Sequence, residues 1–255
     1  MKAPTIRGGT IFLVLVTLLV FTILVKLGLW QLDRAAEKQA LQQALTLKQA
    51  AAPLDYQGLL VLAERGPLTG YRLEVKATPV DAPIILLDNQ VYEGRVGYLA
   101  YQVMRVEAEV EAEVKADIPL LMVELGFIDS GLDRQKLPQL TKLSREVALS
   151  GRVYQRASNP LSQHLLAETG SPMRIQNLNL PELSQTLGLP LAPAILQPEA
   201  IPGSALPHPW QPIPMSAQKH QGYALQWFSM ATVFLMLMTY LLIFKRKNKE
   251  SSKNK

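Results

Sequence analysis

Two long apolar runs, one near each end of the chain, most constrain what this sequence can fold into. The first, TIFLVLVTLLVFTILVKLGLW, covers Thr10 to Trp30 and carries a single charge, at Lys26. The second, YALQWFSMATVFLMLMTYLLIF, covers Tyr223 to Phe244 and carries no charge. About 20 helical residues, each rising about 1.5 Å, span the roughly 30 Å hydrocarbon core of a bilayer. The sequence therefore predicts two transmembrane helices.

The first run could instead be a cleaved secretory signal, because Lys2 and Arg7 form a basic segment before it. However, no small-x-small cleavage site follows Val25, and the chain continues directly into KLGLWQLDR. Lys26 lies near the end of the run, where its side chain can extend to the membrane surface. We therefore favour a retained span over a cleaved signal.

Basic residues at both termini predict the orientation of the spans. Lys2 and Arg7 precede the first span, and KRKNK begins at Lys245 directly after the second. Since basic residues concentrate on the cytoplasmic side of a membrane, both termini are expected in the cytoplasm. In a bacterium this predicts a multi-pass protein of the inner (cell) membrane whose central domain is periplasmic.

Charge and cysteine content exclude several classes of function. The net charge of +5 mostly reflects the basic termini, and no basic patch with interleaved aromatic residues indicates nucleic-acid binding. The chain contains no cysteine. Disulfides, thiolate metal sites and a cysteine nucleophile are therefore excluded.

Between the two runs the sequence predicts a mainly antiparallel β domain. Short alternating runs favour strands of an antiparallel sheet or small barrel: YRLEVKATPV, PIILLDNQ, RVGYLAYQVMRV, IPLLMVELGFI, REVALSGRVYQR and SPMRIQNL. The segment DNQVYEG predicts a turn between the second and third of these. A short helix is predicted at LPELSQTLG, with Pro181 in its first turn and Gly188 at its C-terminal end. The predicted fold class is an α+β membrane protein, with two transmembrane helices flanking a mainly antiparallel β extracytoplasmic domain.

Composition divides the chain into seven predicted segments. The first helix is expected to continue after Trp30, because QLDRAAEKQALQQALTLKQA is rich in helix formers and lacks Gly and Pro. Repeated prolines from Pro190 to Pro214 predict an extended connection with an edge strand near AILQ. The segments are a cytoplasmic N-terminus (1–9), a transmembrane helix (10–30), a helical extension (31–52), a β-rich periplasmic domain (53–189), a Pro-rich connection (190–219), a second transmembrane helix (220–244) and a basic cytoplasmic tail (245–255).

A polar and aromatic cluster is predicted where the two spans leave the membrane on the same side. At 100° per residue, one narrow stripe of the second helix contains a histidine, two aromatic residues and two alanines: His220, Tyr223, Ala224, Trp227 and Ala231. On the first helix, Trp30 and Arg34 lie one turn apart, and Gln31 is adjacent.

The residues alone leave two interpretations of this cluster open. Tryptophan and tyrosine are enriched at bilayer interfaces, and small residues are common where helices pack, so the cluster can be a simple anchor. Alternatively, a neutral imidazole can ligate haem iron, with His220 as the metal ligand. Aromatic rings would then pack against the macrocycle, and Arg34 or Lys219 would pair with its propionates.

The two end motifs, LGLWQLDRAAEK and HQGYALQWF, placed around a soluble segment, resemble the surfeit locus protein 1 family of cytochrome c oxidase assembly factors. The internal segments LLDNQVYEGRVGY and VELGFI are similar to that family's central motifs in the same order, so the resemblance extends over nearly the whole chain. It implies that the chain binds haem a transiently and assists its insertion into subunit I of a haem-copper oxidase. The implied haem ligand is His220. The implied partners are cytochrome c oxidase subunit I, haem a synthase and the lipid bilayer.

The resemblance also implies roles for the residues around His220. Tyr223, Trp227 and Trp30 are expected to pack on the haem ring, with Arg34 near a propionate. The chain departs from the family pattern in its central domain. The family usually has an arginine where this chain has Gln90, an asparagine-arginine pair at Glu124 and Leu125 before the glycine, and a threonine-proline pair after the position of Tyr98.

Other candidate sites are weaker. His164 is expected to be a surface imidazole, and His208 is a weak candidate for a second axial ligand. The methionines of the second span do not share the stripe of His220, which disfavours a copper carrier. The acidic run EAEVEAEVKAD from Glu107 predicts the solvated face of a strand, or a docking surface for a basic partner.

The sequence predicts no enzymatic activity. A Gly-rich phosphate loop, a nucleophile elbow and a zinc-protease motif are all missing from it. Two rivals to the haem-binding assembly factor remain. One is a cofactor-free membrane scaffold for oxidase assembly, and the other is a membrane-anchored structural protein whose aromatic residues only set its depth.

Overall fold

The computed structural model describes residues 8–107, 118–131, 133–134, 136–156, 163–210, 212–213 and 215–251. Most of the acidic run after Glu107 lies outside the described residues, as do the first seven residues and the side chains of the basic tail from Lys245 onward. The chain divides into two compact units, residues 1–43 with 213–255, and residues 44–212.

Two long helices dominate the first unit. Helix α1 is Gly8–Ala50, so it continues well beyond Trp30, and helix α4 is Ala217–Ser251. Each contains a stretch long and apolar enough to cross a membrane, with mean hydropathies of 2.7 and 2.0. Only 11% and 6% of the residues in these stretches are buried. Such extensive exposed apolar surface suggests membrane association.

Helices α1 and α4 contact each other through a small residue. Gly28 is buried, and a Cβ atom added there would lie 2.6 Å from Cε1 of Phe228. Any larger residue at position 28 would force the Phe228 ring to move. On α4, Ala224 and Ala231 are almost fully buried. Small residues of this kind let two helix backbones approach closely in an apolar environment.

The second unit contains the β domain, which forms a closed barrel. Its sheet order is β1-β5-β7-β4-β3-β2-β6, and β1 also pairs with β3, which closes the ring. The strands are β1 (Arg72–Pro79), β2 (Ile85–Tyr92), β3 (Arg95–Val106), β4 (Leu120–Asp129), β5 (Val147–Tyr154), β6 (Met173–Ile175) and β7 (Leu191–Pro198), with helices α2 (Tyr56–Ala63) and α3 (Leu180–Leu187).

The β domain is mainly antiparallel, as the sequence predicted. Among the described strands, β2–β6 and β4–β7 are the parallel pairs, and the other five pairings are antiparallel. Helix α3 is also confirmed. Asn179 caps its N-terminus by accepting from the Glu182 N–H, and Gly188 ends it with a φ of 65°.

Side chains point alternately to the two faces of each strand, so the β domain has two hydrophobic cores, one inside the barrel and one on its outer face. One face of each barrel strand points inward, with Leu73 and Val75 of β1 packed beside Leu121 and Val123 of β4. The outer face of β2, β3, β4 and β7 packs against α3 and the segment before it. Strand β4 is consequently buried along most of its length, which agrees with its nearly continuous apolar sequence.

The predicted turn at DNQVYEG is wrong in extent. Strand β2 continues through these polar residues to Tyr92, with a register shift between Leu87 and Gln90 and a φ of 57° at Asn89. The chain reverses at Glu93 and Gly94, which both have positive φ, as two-residue hairpin turns require. A bulge therefore accommodates polar residues that, by composition, favour a turn.

The edge strand predicted near AILQ is wrong in position. Strand β7 lies between β4 and β5 and pairs with both. Pro193, which has no N–H to donate, falls in the stretch where the pairing with β4 shifts register, so the ladder tolerates it. Gly151 of β5 lies opposite Pro198, and a Cβ atom there would collide with the Gln197 carbonyl oxygen. The close approach of β5 and β7 therefore needs this glycine.

Candidate functional site

His220 occupies the first turn of α4 and is 8% exposed. Its Nδ1 lies 2.7 Å from Oε1 of Gln31 on α1. An amide oxygen can only accept a hydrogen bond, so Nδ1 carries the proton and donates it. In the neutral imidazole this contact selects the tautomer whose Nε2 keeps its lone pair, which is the form that can ligate a metal.

The two helices run antiparallel at this contact, because Gly28 lies against Phe228 and Gln31 lies against His220. Gln31 follows Gly28 by three residues, so both lie on the same face of α1. The close approach permitted by Gly28 brings the amide within reach of the histidine. Gln31 had no predicted role, although an amide three residues after a glycine, at the end of an apolar run, is a signal that could have indicated one.

Trp30 and Arg34 lie on an exposed face of α1. Trp30 is 47% exposed, and the Arg34 guanidinium carbon lies 5.6 Å from the centroid of its ring. Arg34 Nη1 also donates to Glu37 Oε2 at 2.7 Å. The two predicted site residues are thus brought together by a cation–π contact and an ion pair at helical spacing.

Two aromatic residues follow the histidine along α4. Trp227 is half-buried, whereas Tyr223 is 42% exposed. Among the described contacts, none joins the His220 side chain to Trp30 or Arg34. The site is therefore a single oriented imidazole in the helix pair, with accessible aromatic surface on both helices.

The other two histidines lie in the second unit. His164 is exposed, as the sequence predicted. His208 Nδ1 is buried and lies 3.5 Å from Oε1 of the buried Glu124. Within the described part of the chain, no three His, Cys, Asp or Glu side chains form a group that could hold a metal ion. His220 is therefore a single candidate ligand and not part of a preformed three-ligand metal centre of the described residues.

The central segment LLDNQ contributes a structural ion pair. Asp88 is 5% exposed and accepts from Arg134 Nη2 at 2.6 Å, from the Asn89 backbone N–H at 2.7 Å and from Gln176 Nε2 at 3.2 Å. Burial raises the pKa of Asp88, but these three hydrogen bonds and the charge of Arg134 outweigh burial, and the pKa lies below its ordinary value. Asp88 therefore ties three segments of the domain together.

Comparison with protein families gives one clear result. A family model described as the SURF1 family matches residues 18–232, which include both end motifs and the whole β domain. Comparison with curated protein sequences gave no significant match.

Proposed function

Because the chain belongs to the SURF1 family, which is associated with cytochrome oxidase assembly and is generally not catalytic, we propose that it binds haem a and assists haem insertion into oxidase subunit I. We further propose that it resides in a bacterial inner membrane, with both termini in the cytoplasm and the β domain in the periplasm. Haem a synthase and subunit I are the proposed partners, together with the lipid bilayer.

One observation carries the haem proposal. His220 is buried between two apolar helices, and Gln31 holds it in the tautomer with a free Nε2. A ligating histidine in metalloproteins usually donates its other ring N–H to an oxygen acceptor, which fixes the ring and raises its basicity. The Gln31 amide supplies that acceptor. The residues present therefore fit an axial haem ligand.

The surrounding residues support binding of a large planar group. The exposed rings of Trp30 and Tyr223 and the half-buried ring of Trp227 offer aromatic surface to a lipophilic macrocycle. Arg34 uses Nη1 for Glu37, and its side chain is 46% exposed, so it can also meet a propionate. When bound, haem a supplies an iron centre that accepts the imidazole nitrogen.

A single histidine ligand suits a carrier. A protein that passes its cargo on must release it, so its affinity has to stay modest. The rival function is a scaffold that assists oxidase assembly without a cofactor. For a scaffold, His220 and Gln31 would only connect the two helices, and the aromatic residues would only set their depth in the bilayer.

The test is the visible absorption spectrum of the detergent-purified chain, coexpressed with the enzymes of haem a synthesis. We expect haem a bound to the native chain and lost from His220→Ala. His164→Ala is the matched control, because it removes an exposed histidine of the β domain, and it should retain haem. The purification tag must contain no histidine, because tag histidines would add haem ligands to the three histidines of the native chain.

Two results would decide against the carrier. A folded native chain that binds no haem a would favour the scaffold. Haem retained at the native level by His220→Ala would place the ligand elsewhere.

A further inference from the structure

A cavity lies in the β domain. It has a volume of about 200 Å³. Its floor is the outer face of the barrel, where Tyr101 of β3, Glu124 of β4 and Gln197 of β7 lie side by side across the strands. Its roof is formed by Pro209, Trp210 and Pro212 from the segment after β7.

The roof is tied to the barrel by specific contacts. The Phe127 N–H donates to the Pro207 carbonyl at 2.8 Å, and Gln197 Nε2 donates to the Pro209 carbonyl at 2.7 Å. Trp210 packs edge-on against Tyr154, with ring centroids 6.4 Å apart. These contacts fix the position of the proline-rich segment over the cavity.

The floor carries a buried carboxylate. Glu124 is 3% exposed, and its Oε1 accepts from Gln197 Nε2 at 2.9 Å. A carboxylate removed from water needs an opposite charge or several hydrogen bonds to offset the lost hydration. The single neutral Gln197 amide offsets only a small part of it. The cavity therefore has a deep site for a positive group.

Three basic side chains lie near Glu124, and among the described contacts none of them donates a hydrogen bond to its carboxylate. Arg156 lines the cavity but is exposed at its rim. The Arg152 guanidinium carbon lies 5.4 Å from the Trp210 ring centroid and is engaged there. His208 Nδ1 lies 3.5 Å from Glu124 Oε1, where a protonated imidazole would form an ion pair, and this buried nitrogen has no hydrogen-bond partner among the described residues.

The walls are aromatic. Phe127, Tyr154 and Trp210 line the cavity around the carboxylate. Aromatic faces attract ammonium groups through their quadrupoles, and most strongly where water is excluded. A cavity of about 200 Å³ is smaller than the usual site of a drug-sized ligand, so the group that it holds must be small.

We propose that this cavity binds a small alkylammonium compound, with the ammonium group at Glu124 and the alkyl group between the aromatic walls. The proposal is independent of haem binding. It also gives a role to Glu124, which stands where the resembled family commonly has a neutral asparagine.

The test is isothermal titration calorimetry on the full chain in detergent, with n-butylammonium as the probe and 1-butanol as its neutral counterpart. We expect butylammonium to bind at least tenfold more tightly than butanol, and Glu124→Gln to remove this preference. Glu199→Gln is the matched control, because Glu199 is exposed just after β7, and it should bind as the native chain does. Equal binding of the two probes, no binding of butylammonium, or native-like binding by folded Glu124→Gln would overturn the proposal.

A second variant decides the question if Glu124→Gln does not fold. Trp210→Leu replaces an aromatic wall of the cavity by an apolar side chain that has no quadrupole to attract an ammonium group. Butylammonium affinity should fall severalfold in Trp210→Leu, whereas butanol affinity should stay within twofold of the native value. Native-like butylammonium binding by folded Trp210→Leu, or an equal loss for both probes, would overturn the proposal.

Discussion

Replacing Gln31 by leucine tests how strongly the α1 amide controls His220. Leucine is close to glutamine in size, so the helix contact near Gly28 should persist, but it offers no acceptor. The Nδ1–H of a residue that is 8% exposed would then lose its partner. An unsatisfied buried donor costs about 1–3 kcal/mol.

The His220 ring can avoid this cost by rotating, or by moving its proton from Nδ1 to Nε2. Either change removes the lone pair from the position where it is held in the native chain. If the full cost appears in binding, haem affinity should fall by about 5- to 150-fold, at about 1.4 kcal/mol for each factor of ten. Gln31→Glu retains an oxygen acceptor and should bind haem at least as tightly as the native chain.

The assay is titration of haem a into the purified haem-free chain in detergent, followed by absorbance. Gln39→Leu removes an exposed amide from the same helix and serves as the matched control, with native affinity expected. Circular dichroism checks that each variant is folded. The reasoning is refuted if Gln31→Leu binds within twofold of the native chain while His220→Ala loses binding. A native chain that binds no haem refutes the proposed function instead, so the two failures are distinguishable.

Two further predictions concern the β domain. Gly151→Ala should lower the free energy of unfolding, measured by urea titration, by about 3 kcal/mol. The reason is that its Cβ would lie 2.5 Å from the Pro198 Cα, and paired strand backbones cannot rotate away. Gly66→Ala, where the added Cβ meets open space, is the control and should change the free energy of unfolding by less than about 0.5 kcal/mol. Because the pKa of Asp88 is lowered by folding, its ion pair should stabilise the domain above about pH 4 and lose this effect as the pH falls further. Thermal melts of the native chain and Asp88→Asn should therefore differ at pH 7, and the difference should shrink as the pH falls below about 4; a constant difference would contradict this.

Several elements could be predicted because their cause is local. The two apolar helices follow from uninterrupted runs of apolar residues, and α3 follows from its cap residues and from Gly188. Alternation of apolar side chains was enough to predict most strands. Strand order was beyond sequence reasoning, because it depends on which edges meet after the chain has collapsed. Pro193 illustrates the difference, since a proline favours an edge strand locally but fits an interior strand where the register shifts.

The candidate site divides in the same way. The sequence by itself determined which residues are candidates for binding a planar cofactor, since the stripe containing His220 and Trp227 follows from helical periodicity alone. The tertiary structure decided which partner His220 has. Gln31 is 189 positions away in the chain, and only the packing of α1 against α4 brings the two side chains within a hydrogen bond. Periodicity acts within one helix, whereas the tautomer of a histidine depends on the acceptor that another helix supplies.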